Sequence, residues 1–198
     1  MIGWYGTSEL AALTLGHTCL FFIYITLTGF SLAVITNVSR AFGKDDTEAL
    51  RINFRMGLWL VFAFSLFGLA LVSKTSSFLT FLEQDEYIVE IVSEYIQIVQ
   101  WMMPFLLLTY VIKAFLISVK KQQVVLFISI LGLITNFIFN YLFIFGNFGF
   151  PELGITGVAC SSLLTSICMM LSGLLYICLL YTSTSPRYVR SSRMPSYA

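Results

Sequence analysis

Charged residues are absent from five long stretches of this 198-residue chain: 10–39, 56–73, 95–112, 122–151 and 153–185 contain no Lys, Arg, Asp or Glu. Each is at least 18 residues long and mainly apolar. A helix needs roughly 20 such residues to cross a hydrocarbon layer about 30 Å thick. The pattern predicts helical spans at about 14–38, 56–80, 87–117, 122–146 and 154–181. Too little chain remains between them to fold as a soluble unit. The expected fold class is all-α: a polytopic membrane bundle of about five transmembrane helices, bathed in membrane lipids.

Composition agrees. Hydrophobic residues make up 58% of the chain and charged residues 11%, against roughly 25% charged in an average soluble domain. No basic patch suits nucleic acid. Cys19, Cys160, Cys168 and Cys178 all fall inside predicted spans, without Cys-x-x-Cys or His/Cys ligand spacing. Small packing residues are expected there, and no metal site. No His cluster or nucleophile arrangement accompanies the spans, so an enzyme is not expected.

The few charges orient the bundle. Arg40, Lys44, Arg51 and Arg55 follow the first span, and Lys120 and Lys121 follow the third, with Lys113 just upstream in the last turns of its helix. The connections after the second and fourth spans carry Glu83, Asp85, Glu86 and Glu152 and no basic residue. Lys and Arg stay on the cytoplasmic side during insertion. This places the basic loops inside, residues 1–10 outside and the C-terminus in the cytoplasm of a multi-pass plasma (inner) membrane protein. Lys74 is the exception, a residue able to snorkel from the end of its span. An outside N-terminus without a signal peptide predicts a further span upstream. Residues 182–198 (TSTSPRYVRSSRMPSYA) change abruptly in character and read as a non-native or disordered tail rather than as part of the fold.

Polar residues inside the spans are the candidates for work. Asn136 and Asn140 lie four apart, on one helical face. Two amides in hydrocarbon are costly unless bonded, so this face must meet the bundle or a wet cavity. They either line a substrate or ion path or tie helices together. Glu90 and Glu94 share a face near the outer end of the third span and suit an outer entrance; no carboxylate lies deeper. His17 sits near the outer end of the first span, as a second entrance residue or an interfacial hydrogen-bonding group. Pro104 removes a helical hydrogen bond and kinks the third span, as a hinge or as static packing. Gly157, Ser161 and Thr165 form a small-residue row that lets helices approach closely. Gly146, Gly149, Gly154 and Gly157 flank Pro151, permitting a tight return into the membrane.

Three segments carry a family resemblance: residues 7–16 (TSELAALTLG), 37–46 (NVSRAFGKDD), and 136–146 (NFIFNYLFIFG) continuing through 150–159 (FPELGITGVA). In order and spacing they resemble the multidrug and toxic compound extrusion family of cation-coupled antiporters. The first looks like the outer loop joining that family's first two helices, the second like the inner end of helix two. The third resembles helix five, its outer loop and the start of helix six. On this mapping residues 1–181 are a partial N-terminal lobe, the end of helix one plus helices two to six, of a twelve-helix transporter. The resemblance implies a secondary active multidrug antiporter exporting organic, often cationic, compounds in exchange for Na⁺ or H⁺, with no other cofactor. It implies a C-terminal half of the same transporter as partner. Many relatives carry Asp at the position of Asn140, where it serves cation or proton binding. An amide cannot exchange a proton, so proton coupling through that position is not expected here. The alternatives are a lipid-linked oligosaccharide flippase of the same superfamily, which the absence of Lys and Arg deep in the spans disfavours, and a non-transporting membrane remnant or assembly protein.

Overall fold

The computed structural model describes residues 7–29, 31–146 and 152–183. Among the described residues eight helices follow one another: α1 (Thr7–Thr28), α2 (Ser31–Gly43), α3 (Thr47–Val72), α4 (Thr75–Phe81), α5 (Glu86–Val99), α6 (Met102–Ser118), α7 (Gln122–Phe145) and α8 (Gly154–Ser183). They combine into four stretches long and apolar enough to cross a membrane, Leu10–Gly43, Thr47–Phe81, Gln122–Phe145 and Gly154–Leu179. Together α5 and α6 make a fifth, bent by 53°. Their exposed faces are apolar: Trp59, Phe127, Leu133 and Phe81 are each at least 70% exposed. A water-soluble monomer does not show continuous apolar faces of this kind; lipid is the solvent they fit.

Two expected loops are helix. Residues 7–16, expected as an outer loop, form the start of α1, and Ala12 there is 1% exposed. Leu, Ala and Glu are strong helix formers, and the helix stays continuous because Ala12 packs into the core. Likewise 47–55, expected as loop, opens α3. Asp46 caps it, its carboxylate accepting from the Ala49 N–H at 2.9 Å, and Glu48 in the first turn favours the helix dipole. The connection shrinks to residues 44–46. The second span is interrupted at Ser73 and Lys74 before α4. Residues 147–151 and 184–198, and with them Pro151, Gly149 and nearly all of the expected tail, lie outside the described residues.

The central helix is α6. Met103, Leu107, Val111, Ile112, Phe115 and Leu116 are all 1% exposed or less. Around it, α2, α3 and α8 close one apolar cluster toward the basic end, including Val38, Val61 and Ile177. A second, toward the acidic end, joins α1, α4, α5 and α8 through Leu20, Leu79, Val92, Tyr95 and Ala159. The Phe54 and Phe115 rings, 4.6 Å apart, and a Ser118 hydroxyl donating to the Ile35 carbonyl at 3.2 Å hold the basic ends of α2, α3 and α6 at one level.

By contrast α7 is peripheral, with Ile128, Gly132 and Ile144 as its buried residues. It lies chiefly on α8. Gly157 makes the approach possible: a Cβ there would stand 2.6 Å from the Phe143 carbonyl oxygen. That oxygen is left without a helical donor at the end of α7 and accepts from the Leu153 N–H at 3.0 Å. Gly146 ends α7 in the left-handed region, at φ 63°, a conformation that glycine adopts without strain.

Candidate functional site

The row of small residues on α8 brings α7 close enough for side chains to bond across. Asn136 and Asn140 sit on the inner flank of α7, both half-buried. The Asn140 Nδ2 donates to Asn136 Oδ1 at 2.9 Å, joining the amides along the helix. The Ser161 hydroxyl, fully buried on α8, donates to Asn140 Oδ1 at 2.6 Å and shares its proton with its own helix at the Val158 carbonyl, 2.9 Å away. Asn140 is thereby fixed from two sides. The Asn136 amide nitrogen has no acceptor among the described residues.

Both amides line a cleft of about 280 Å³. Its remaining walls are apolar: Leu13 of α1, Leu133, Phe137 and Ile144 of α7, and Val158 of α8. A mostly apolar cleft with two convergent amides can accept a flat or greasy molecule bearing a polar or charged group, or coordinate a cation through amide oxygens. Neither amide can release a proton. His17 lies one turn beyond Leu13 on the same face of α1, and is exposed.

The other expected site residues are elsewhere. Glu90 and Glu94 are exposed on α5 and line no part of this cleft. Pro104 stands in the first turn of α6, just after the 53° bend at Gln100 and Trp101. Its missing N–H leaves the Gln100 carbonyl to accept from the Met103 N–H at 3.1 Å, a tighter turn. Pro104 faces a different cavity, a groove of about 650 Å³ between α3 and α6.

Two features escape sequence reading. Ser161 is legible there as a packing residue, and only the approach at Gly157 turns it into the partner of Asn140. Lys113, expected near the interface, is half-buried, and its ammonium donates to Ser129 of α7 at 3.0 Å. Seven residues, or about 10 Å of helix, separate it from Lys120. Polar residues at matching depths on both sides of the short 119–121 turn are the signal that could have paired them.

Comparison with known proteins covers most of the chain. The family model described as MatE matches residues 1–142. A protein called "Probable multidrug resistance protein NorM" from Rhizobium meliloti is 34% identical over 163 residues, 82% of this chain and 35% of the relative. Its namesake from Agrobacterium fabrum is 30% identical over 159 residues, 80% of this chain and 34% of its own length. A third, from Photorhabdus laumondii, is 27% identical over 180 residues, covering 91% and 38% respectively. The chain spans about a third of the length of these curated relatives.

Proposed function

Because this chain belongs to the MatE family, a family of transporters rather than enzymes, we propose that it forms most of the first lobe of a multidrug exporter. The relatives' names support drug export, and the helices, apolar on their outer faces, support residence in a membrane. The whole transporter would sit as a multi-pass protein in the inner membrane, with the basic loops and the C-terminus in the cytoplasm. Its substrates would be small organic compounds, often cationic, exchanged for Na⁺ or H⁺. Two lobes rocking about a shared cavity would expose it alternately to each side, and ion binding would favour the state that releases substrate. On this reading the second lobe lies in the part of the relatives' length that this chain does not span.

The single observation that carries the site is the Ser161–Asn140–Asn136 relay opening into an apolar cleft. Asn136 and Asn140 would hold the polar end of the substrate or the cation through their oxygens, and Ser161 would keep Asn140 aimed. Proton exchange would fall to a carboxylate outside this chain. Lys113 lines no part of the cleft, which leaves a flippase for anionic, pyrophosphate-linked lipids without a cation at the site.

The test uses the complete transporter with Asn140→Leu. Efflux of a fluorescent organic cation from energised vesicles should fall by about five- to a hundredfold, the equivalent of the ~1–3 kcal/mol lost when a polar partner is removed. Membrane insertion should persist, because leucine suits hydrocarbon. Unchanged efflux would reduce Asn140 to a packing residue.

A further inference from the structure

The groove between α3 and α6 is larger than the amide cleft and shares no lining residue with it. Its walls are apolar along most of its length, with Leu58, Trp59, Phe62 and Pro104 among them. The one hydroxyl, that of Ser65, donates to the Phe62 carbonyl of its own helix at 2.8 Å, so it offers the groove no free donor. Arg55 lines one end. It is exposed, and among the described residues its guanidinium has no hydrogen-bond or ion-pair partner. From Arg55 to Ser65 is ten residues, about 15 Å of helix, or half of a hydrocarbon layer about 30 Å thick.

Depth and charge agree. Arg55 is the last basic residue before the charge-free stretch 56–73, so it marks the boundary between headgroups and hydrocarbon at the basic end of the bundle. Trp59, one turn on and 70% exposed, is the residue type that settles just below that boundary. Pro104, in the middle of the α5–α6 span, closes the other end. We propose that this groove binds one anionic phospholipid of the cytoplasmic leaflet. Its phosphate pairs with Arg55, and one acyl chain lies past Trp59 and Phe62 toward Pro104. A fixed cation at the mouth favours an anionic amphiphile and repels the organic cations expected in the amide cleft. This inference goes beyond the proposed export and does not depend on it.

The experiment reads tryptophan fluorescence from the 198-residue chain in phosphatidylcholine vesicles doped with phosphatidylglycerol. Either lipid carries bromines on the same acyl carbons. Of Trp4, Trp59 and Trp101, one protein keeps Trp59 alone and a second keeps Trp101 alone, with Phe at the other positions. Comparing the two brominated lipids at one tryptophan cancels its depth. Trp59 should be quenched several-fold more by brominated phosphatidylglycerol than by brominated phosphatidylcholine, whereas Trp101 should show no preference. Arg55→Gln should abolish the Trp59 preference with helix content unchanged by circular dichroism, and Arg55→Lys should keep most of it. Equal quenching by the two lipids, or a preference that survives Arg55→Gln, overturns the proposal. So does relief of quenching by tetraphenylphosphonium but not by unbrominated phosphatidylglycerol, which would assign the groove to an organic cation.

Discussion

At the scale of single residues, the contact between α7 and α8 rests on a small set of atoms. The Ser161 hydroxyl reaches Asn140 because Gly157, one turn earlier, lets the Phe143 backbone come within van der Waals range. Ser161→Ala removes one donor and leaves Asn140 bonded to Asn136 alone. Stability in detergent, measured by thermal unfolding, should fall by about 0.6–1.7 kcal/mol, the usual worth of an interhelical hydrogen bond in membrane proteins. Gly157→Ala acts on the frame itself. Its methyl would meet backbone, not the movable end of a side chain, and α7 would have to shift outward. A loss of about 1–3 kcal/mol is expected, as for other overpacked sites. Gly43→Ala is the internal comparison, since nothing stands within 4 Å of a Cβ there. Equal losses at the two positions would refute the close-approach argument.

Among elements, the α5–α6 pair is the one built to bend. Pro104 deprives the Gln100 carbonyl of its helical donor, and the 53° change of direction falls just before it. Both helices are packed at this break: Met102 and Met103 of α6 are buried, and so are Tyr95, Ile96 and Val99 of α5, while Glu86, Glu90 and Glu94 of α5 are exposed. Pro104→Ala restores the missing N–H. Spin labels near Tyr87 and Ile117 should then report a longer mean separation and a narrower distribution, as the pair straightens toward one helix. An unchanged distance would mean that packing around Met102 and Met103, rather than the lost hydrogen bond, sets the angle. In the complete transporter, slowed efflux with unchanged substrate affinity would support a hinge role.

For the whole molecule, charge at the helix ends is the strongest guide to orientation. Arg40, Lys44, Arg51, Arg55, Lys120 and Lys121 belong to one end, and Glu83, Asp85, Glu86, Glu90, Glu94 and Glu152 to the other. After the native cysteines are replaced by alanine, a cysteine at Gln84 should react with an impermeant maleimide added to intact cells. A cysteine at Gly43 should react only after the cells are opened. The reverse result would invert the bundle and place the Arg55 groove in the other leaflet. The chain alone is expected to move no drug across vesicles, because alternating access needs a second body to rock against. Ion-driven export by the 198-residue chain would contradict the two-lobe reading.

What the sequence by itself determined is what hydrocarbon demands of any chain: where charges are forbidden, hence where the helices cross, and which ends carry Lys and Arg. The 122–146 and 154–181 spans are nearly the observed α7 and α8, because a charge-free run bounded by glycine leaves little choice. That Asn136 and Asn140 share one face was equally legible, since four residues along a helix is a local relation; their bond to each other is a finding of the structure. Starts of helices were less so. Residues 7–16 resemble the family's outer loop and 47–55 read as a connection by their charges, yet both form helix, because Ala12 packs into the core and Asp46 caps α3. Only the tertiary structure decided that α6 is the central helix, that Ser161 bonds Asn140, and that Pro104 faces the Arg55 groove instead of the amide cleft. Those facts depend on which helix lies beside which. In a chain this uniformly apolar, that choice is made by steric fit at a few small residues, and hydropathy carries no record of it.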